Sequence, residues 1–245
     1  MSESIVLRMA SLAALGALLA AGCTAAAGLK VVGSGKQVTV EKELSGFSKI
    51  DASSAFQVKI TQSEEYSVVL TVDEKVEPYL DVSVQGDTLR IGVRPGLTLA
   101  GAAFPLNAVV SMPRLTGVAL SGASGATVGG FKSADRLDAD LSGASKLTGE
   151  IETGDVRFQV SGASGLTLSG KGQKMALEVS GAGQGNLEGF AVSDATVNLS
   201  GASRATVNVS GRLDAEVSGA STLRYTGSPT LGSIQSSGGS SIQPK

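Results

Sequence analysis

The second half of the chain alternates apolar and polar residues with a period of two, and each alternating run stops at the same short motif. The motif is Ser-Gly-Ala-Ser or a close variant, and its copies begin at Ser121, Ser142, Ser161, Ser180, Ser200, Ser218 and Ser237. The residue before each of the first six copies is Leu or Val, and the residue three places before is also apolar. Such alternation buries one face of a β-strand. Each copy therefore predicts a strand that ends at a Ser-Gly-Ala-Ser corner.

A second, shorter strand is predicted after each corner. These segments are rich in Thr and aliphatic residues, and Thr127, Thr148, Thr167 and Thr206 share one column of the repeat. Glycine follows at a similar place in most copies and is expected to close the strand. The glycines are Gly130, Gly149, Gly170, Gly189, Gly211 and Gly227.

The copies are 18 to 21 residues apart, which favours an all-β fold built as a single-stranded, right-handed parallel β-helix-like solenoid with coils of about 20 residues. Identical corners would then stack, and their small hydroxyl side chains would line the outside and satisfy corner backbone groups. The rival architecture is an antiparallel meander or prism. It is less favoured because hairpins need turn residues about every 10 residues.

The front part, residues 37–115, lacks the strict repeat and is predicted to be rich in antiparallel strands. Gln85-Gly86-Asp87 separates two alternating runs and indicates a hairpin. The segment 73–80 is either one helical turn or a loop. Ser53-Ser54-Ala55-Phe56 is a weakened corner, so the stack is expected to begin there and to be interrupted by an insertion at 57–115. At the other end, the polar segment from Ser236 is expected to cap the stack.

The N-terminus predicts export. Residues 9–21 are apolar, follow Arg8 and are too short to span a bilayer. They lead into Leu-Leu-Ala-Ala-Gly-Cys, which resembles a bacterial lipobox with Cys23 as the lipidated residue. The expected organisation is a signal peptide at 1–22, a lipidated tether at 23–36 and one β-helical domain at 37–245, anchored to the cell envelope, with the outer membrane favoured. The alternative is a plain secretory signal that leaves Cys23 as a free thiol.

Composition narrows the chemistry. The chain has no His, which removes His-based nucleophile pairs and the commonest metal ligand, and neither a cofactor nor a metal site is predicted. Its formal net charge is −2, with 17% charged residues, so the basic surface that nucleic acid requires is missing. The expected partners are the membrane, through the lipid anchor, and envelope polysaccharide or other surface proteins.

The candidate binding residues occupy outward positions of the repeat, five of them in one column and Asp138 two residues before Asp140. They are Asp138, Asp140, Gln159, Glu178, Asn198 and Glu216. Stacking would set the carboxylates two coils apart, roughly 9–10 Å, within the separation of an inverting glycosidase pair. The alternative is a solvated face on which amides keep like charges apart. The corner serines could likewise bind glycans, or could only serve their own backbone.

The order of these motifs is specific. The run from Phe47 to Val93, then VVSMPRLTGVALSGAS and the repeated corners, resembles the family described as "putative auto-transporter adhesin, head GIN domain". The resemblance implies an exported, often lipid-anchored β-helical protein with a surface binding role, and it brings no catalytic residues. The leading hypothesis is therefore a non-catalytic envelope protein for adhesion or scaffolding. The alternatives are a polysaccharide-active enzyme that uses the carboxylate face, and a structural or stress-related lipoprotein without a ligand.

Overall fold

The computed structural model describes residues 29–100 and 105–245, and these residues fold almost entirely as β-strands. Helix in this part of the chain is limited to one 3-10 turn, Glu77–Tyr79. The strands of the front part are β1 (Leu29–Val32), β2 (Gln37–Lys42), β3 (Lys49–Ala52), β4 (Gln57–Gln62), β5 (Ser67–Asp73), β6 (Leu80–Gln85), β7 (Thr88–Val93), β8 (Leu97–Ala100) and β9 (Leu106–Met112).

The repeats contribute two strands each, one before and one after the corner. They are β10 (Gly117–Leu120), β11 (Gly125–Lys132), β12 (Leu137–Leu141), β13 (Lys146–Glu152), β14 (Val156–Val160), β15 (Gly165–Lys171), β16 (Lys174–Val179), β17 (Gln184–Val192), β18 (Asp194–Leu199), β19 (Arg204–Val209), β20 (Arg212–Val217), β21 (Thr222–Thr226), β22 (Thr230–Ser236) and β23 (Ser241–Pro244).

The repeats stack into a parallel β-solenoid, which confirms the predicted fold class. Strands that precede corners form a 10-stranded sheet, β22-β20-β18-β16-β14-β12-β10-β3-β7-β6, and strands that follow corners form an 11-stranded sheet, β2-β5-β9-β4-β11-β13-β15-β17-β19-β21-β23. Ser142, Ser161 and Ser180 lie in successive coils, because the Ser161 N–H donates to the Leu141 carbonyl and the Ser180 N–H to the Val160 carbonyl. The antiparallel meander is therefore wrong for the repeats. Antiparallel pairs are confined to β2–β5, β5–β9 and β6–β7 within the described residues.

The apolar columns fill the space between the two sheets, as the alternation predicts. The side chains one residue before each corner are at most 2% exposed, from Leu120 to Val217. Phe158 and Phe190 meet edge-to-face at 6.1 Å between ring centroids, one from each sheet. Burial of these columns removes apolar area from water, and this supplies the main driving force for the stack.

The corners turn at a glycine with positive φ. Gly143 has φ 74°, and a Cβ at this position would lie 2.5 Å from the Gly122 carbonyl oxygen of the preceding coil. That carbonyl accepts the Ala144 N–H at 2.7 Å, so successive corners are joined by backbone hydrogen bonds. Only glycine combines this backbone conformation with this close approach.

The last serine of the corner differs from expectation, because it lies inside the solenoid. Ser145 is 1% exposed, and its hydroxyl donates to the Ser142 carbonyl at 2.7 Å. The hydroxyl of Ser203 bonds to that of Ser221 in the next coil at 3.2 Å. These side chains point inward because they fill the tight interior of the corner and supply partners for its backbone.

Glycines in the second strand also differ from expectation: most of them bend the strand and do not close it. Gly149 (φ 149°) lies inside β13, and Ile151 beyond it is buried. A Cβ on Gly149 would overlap the Val128 carbonyl oxygen. The strand therefore turns a second corner without breaking its ladder, as at a β-bulge.

The stack begins before the repeats, as the weakened corner predicts. Ser53 to Phe56 lies in register with the first full corner, since the Ser121 N–H donates to the Ala52 carbonyl and the Gly125 N–H to that of Phe56. The insertion is smaller than predicted, because β4 belongs to the stack. Within the insertion, β7 and β9 form a further layer beyond β3 and β4. The predicted hairpin joins β6 to β7.

Residues 29–36, which the sequence places in the tether, are tied to the domain. The strand β1 pairs in parallel with β8. Asp73, 2% exposed, accepts the N–H groups of Ser34, Gly35 and Lys75. Burial acts to raise the pKa of Asp73, but these donors outweigh it and lower the pKa. The signal peptide, Cys23 and the rest of the tether lie outside the described residues.

The C-terminal coil is a regular layer and not a polar cap. Its corner remains in register, because the Ser237 N–H donates to the Val217 carbonyl at 3.0 Å. Leu231 and Ile234 of β22 are 49% and 37% exposed. The expectation of a capping segment is thus replaced by an open end. Among the helices in the part of the chain described, none is long and apolar enough to cross a membrane.

Candidate binding face

The predicted binding residues lie on the solvent face of the 10-stranded sheet. Five of them form one row across neighbouring strands, in the order Asp140, Gln159, Glu178, Asn198 and Glu216. We call these five residues the acidic row. Neighbouring strands are about 4.8 Å apart, so successive carboxylates of the row are separated by about 10 Å. Asp138 lies two residues earlier on β12, in the adjacent row beside Arg157.

Amides separate the charges of the acidic row. The Gln159 Nε2 donates to Glu178 Oε2 at 3.4 Å, and Asn198 stands between Glu178 and Glu216. Like charges directly opposite each other on neighbouring strands are destabilising, and this order avoids them. The row is therefore a solvated polar surface on which carboxylates alternate with amides.

The face is not flat along its whole length, because β10 carries small outward residues. Gly117 and Ala119 occupy the positions that Asp138 and Asp140 hold on β12. On the other side, Lys49 and Asp51 of β3 pair with the same two small residues. The result is a groove of about 370 Å³ lined by these six residues and by neighbouring side chains including Arg157 and Gln159. We call it the β10 groove.

The walls of the β10 groove carry charges of both signs. Lys49 lies over Gly117, since a Cβ there would stand 2.9 Å from Lys49 Cγ, and its ammonium contacts Asp87 at 3.0 Å. Asp51 contacts Arg90 at 3.5 Å. Asp138 accepts a 2.7 Å hydrogen bond from Arg136 Nε.

Asp140 and Arg157 differ from these paired groups. Neither forms an ion pair with another of the described residues. Together they leave one carboxylate and one guanidinium to hydrogen-bond a ligand in the groove.

Sequence reasoning found Asp138, Asp140 and Gln159 of this groove but missed the opposite wall on β3 and Arg157 beside Asp138. Lys49, Asp51 and Arg157 lie in segments that give no local sign of a site. The sequence does contain one indication of the groove. In the first repeat, Gly117 and Ala119 occupy the two outward positions at which the second repeat has Asp138 and Asp140. Alignment of the outward columns would have revealed this gap.

At the far end of the same face, Asp214 holds the last coil to the stack. It forms two hydrogen bonds with the Arg212 guanidinium, at 2.7 and 2.8 Å, and accepts the Ser233 N–H at 2.6 Å. The Arg212 guanidinium, together with the Ser233 N–H, lowers the pKa of Asp214 to about 2. These contacts link β20 to β22 and serve the architecture.

The 11-stranded sheet presents a different surface. Its central outward row runs Thr127, Thr148, Thr167, Asn186, Thr206. The hydroxyls of Thr127 and Thr148 lie 3.3 Å apart, and Thr148 also donates to the Ala126 carbonyl at 3.5 Å. The threonines thus form one outward column of exposed and half-buried side chains, partly occupied by hydrogen bonds to their own chain.

The hydroxyls of the first corner serines also hydrogen-bond to the backbone of their own chain. Ser161 donates its hydroxyl to the Leu141 carbonyl at 3.2 Å, and Ser142 does so to that of Leu120 at 3.4 Å. These contacts favour the view that the corner hydroxyls serve their own backbone. In the described residues no cluster of three or more acidic or cysteine side chains could hold a metal ion.

Fold and face together define the class: a parallel β-solenoid with a long polar face that carries the β10 groove. The sequence matches the family described as "Putative auto-transporter adhesin, head GIN domain" over residues 46–229. The chain belongs to this family, which confirms the resemblance seen in its motifs. None of the curated proteins compared with the chain matches its sequence.

Solved structures show the same fold. A protein from Bacteroides fragilis titled "putative adhesin" superposes with TM-score 0.82 at 21% identity, over 88% of this chain and 100% of the other. A "putative lipid binding protein" from Parabacteroides distasonis gives 0.70 at 17% identity, over 88% and 99%. A "putative adhesin" from Parabacteroides merdae gives 0.66 at 20%, again over 88% and 99%. At these identities the likeness concerns the fold alone.

Proposed function

We propose that the protein is a non-catalytic surface protein of the bacterial envelope that binds a hydroxyl-rich envelope polysaccharide in the β10 groove. The observation that carries the proposal is the groove itself, where Ala119 forms a small floor between charged walls and the Lys49 stem covers Gly117. Membership of a family named for adhesins supports a binding role.

The chemistry of the groove suits hydroxyl groups. The Asp140 carboxylate accepts hydrogen bonds, the Arg157 guanidinium donates them, and the small floor allows a sugar ring to approach the sheet. A ligand that extends along the face would meet the alternating carboxylates and amides of the acidic row. Carbohydrate sites often add an aromatic platform. In the repeats, Phe158 is buried and Tyr225 is half-buried on the other sheet, so hydrogen bonds would carry most of the affinity.

The experiment is an array of purified envelope polysaccharides and other glycans probed with the protein, followed by titration of each hit. Ala119→Tyr fills the groove and should weaken binding at least about tenfold, which corresponds to about 1.4 kcal/mol. Ala191→Tyr is the matched control, since Ala191 is an exposed alanine of β17 on the other sheet, away from the groove and the acidic row. Equal losses in the two variants, or no polysaccharide hit at all, would contradict a site centred on β10.

The same polymers test the enzymatic alternative. Asp140 and Glu178 are separated by one strand, at a distance compatible with an inverting pair, but Gln159 lies between them in the row. Incubation of each bound polymer with the protein should release no shorter product. Product release that is lost in Asp140→Asn or Glu178→Gln would favour a glycoside hydrolase over a binding protein.

The second part of the proposal concerns location. We infer that Cys23 is lipidated and anchors the protein to the envelope, with the outer membrane favoured. The first strand begins only six residues later at Leu29, so the domain would lie within about 20 Å of the membrane surface. Cys23→Ser should release the protein from the membrane fraction and abolish metabolic labelling with a fatty acid. Retention of the variant in the membrane would contradict the anchor.

A further inference from the structure

The C-terminal end of the solenoid is an open edge. In the repeats, the strands from β10 to β21 each have neighbours on both sides, whereas β22 pairs only with β20 and β23 only with β21. Within the described residues, no strand pairs with the outer edge of β22 or of β23. Edge strands of this kind present unpaired N–H and C=O groups that can pair with another chain.

The open end also exposes the last layer of the core. Leu231 stacks on Leu213, and Ile234 on Ala215, in columns that are buried in the coil below. Leu213 is 0% exposed, whereas Leu231 is 49% exposed and Ile234 is 37% exposed. On the other sheet, Ile242 stacks on the buried Leu223 and is only half-buried. The apolar columns thus end in side chains that one further layer would cover.

The strands of the last coil carry few features that would prevent another chain from pairing with them. Residues 225–244 contain no Asp, Glu, Lys or Arg. Natural edge strands usually carry charges, prolines or bulges against association. In the last coil such features are Pro229 before β22, Pro244 at the last residue of β23 and a register irregularity between Leu231 and Ile234. Lys245 follows β23, but its ammonium pairs with Glu188 of an earlier coil.

The opposite end of the solenoid is protected. There β5 and β6 run antiparallel to the stack, and the outermost strand β2 pairs antiparallel with β5. The outermost strand β2 has Lys36 before it and carries Glu41 and Lys42, while β6 carries Asp81. Head-to-tail stacking of copies would need an open edge at both ends, so the structure disfavours filaments.

We propose that the open coil is the interface of a homodimer, in which a second copy of this chain joins tail to tail. A two-fold axis perpendicular to the solenoid reverses the strand direction, so each edge strand would pair antiparallel with a strand of the partner copy. Both copies bring the same uncharged edge and the same apolar columns, and the contact closes without further growth. Because the end of one coil is small for a protein interface, the dimer should be weak, with a dissociation constant of about micromolar.

Sedimentation equilibrium of the purified protein at several concentrations tests the proposal. The expected result is a monomer–dimer equilibrium, with slower hydrogen exchange at residues 230–236 and 241–244 as the concentration rises. Ile234→Lys places a charge inside the interface and should weaken the dimer at least about tenfold. Ala176→Lys is the control, because it adds the same charge at an exposed position of β16, three strands from β22 in the same sheet, and should leave the dimer unchanged.

Three outcomes would overturn the proposal. They are a monomer at about 100 µM, a dimer whose exchange protection lies away from the last coil, and open-ended polymers. Leu231→Lys is a second interface variant, in case Ile234→Lys disturbs the last coil itself. Far-ultraviolet circular dichroism and the melting temperature distinguish loss of pairing from loss of structure. Failure of this prediction would leave the polysaccharide proposal unaffected, because that site is centred on β10, six strands from β22 in the same sheet.

Discussion

Gly149 lies against the carbonyl oxygen of Val128, so closely that a Cβ at this position would overlap that oxygen. The contact joins two neighbouring coils at the bend of their second strands. Stacking of these two coils therefore requires glycine at position 149, because any side chain would force the coils apart.

Gly149→Ala should therefore destabilise the protein by roughly 3 kcal/mol or more, through the positive φ and the overlap with the next coil. Gly165→Ala is the matched control, since a Cβ there meets nothing within 4 Å. It should change the stability by less than about 0.5 kcal/mol. Urea unfolding followed by circular dichroism measures both, and similar stabilities for the two variants would refute the account of the bend.

The corner serines give a second matched pair. Among the described residues the buried hydroxyl of Ser124 has no hydrogen-bond partner, whereas that of Ser145 donates to the Ser142 carbonyl at 2.7 Å. Ser145→Ala should cost about 1 kcal/mol, and Ser124→Ala should be neutral or slightly stabilising, because it removes an unsatisfied buried group. The free energies of unfolding decide the case. A larger loss for Ser124→Ala would reverse the prediction.

The acidic row predicts a dependence on charge and salt. Gln159→Glu places a third carboxylate between Asp140 and Glu178 and should destabilise the protein by about 0.5–1 kcal/mol at pH 7. Gln159→Lys should stabilise it by a similar or smaller amount. Both effects should shrink as salt is added, because the row is exposed. Melting temperatures at low and high ionic strength measure this, and effects insensitive to salt would indicate a packing cause.

Asp214 predicts loosening of the last coil in acid. Its folded pKa of about 2 lies below the ordinary value of 3.8, so its contribution is complete above about pH 4 and is lost as the pH falls towards 2. Hydrogen exchange at residues 230–236, corrected for its intrinsic pH dependence, should speed up over this range. Asp214→Asn should show fast exchange already at pH 7 and little further change. An equal acid response in both proteins would assign the effect to other groups.

The solenoid could be predicted from the sequence because its repeats are local and identical. Leu141, Val160 and Val179 occupy the same column, and a corner of fixed length sets their register. The bend at Gly149 could not be predicted, since a glycine inside an alternating run also fits a strand end. The sequence predicts an outward Ser145 because serine is polar. The structure shows it inside, because the interior of the corner has room for a small side chain and offers its hydroxyl a backbone acceptor.

The front layer and the candidate site were harder to predict. The strands β7 and β9 stack beyond β3 and β4, out of chain order, and no corner motif marks them. The β10 groove depends on side chains that are absent at Gly117 and Ala119, and on walls from β3 and β12, about 90 residues apart along the chain. The repeat columns show which side chains a surface presents, but they do not show directly where missing side chains leave a groove.

The backbone bond from one corner to the next, such as Ala144 to Gly122, makes each coil a unit that meets only its two neighbours. Duplication or deletion of one such unit in frame would lengthen or shorten the rod by about 5 Å without a new kind of contact. The length of the solenoid can therefore change during evolution in fixed steps of one coil. The two specialised ends, one closed and one open, would stay unchanged while the distance between them varies.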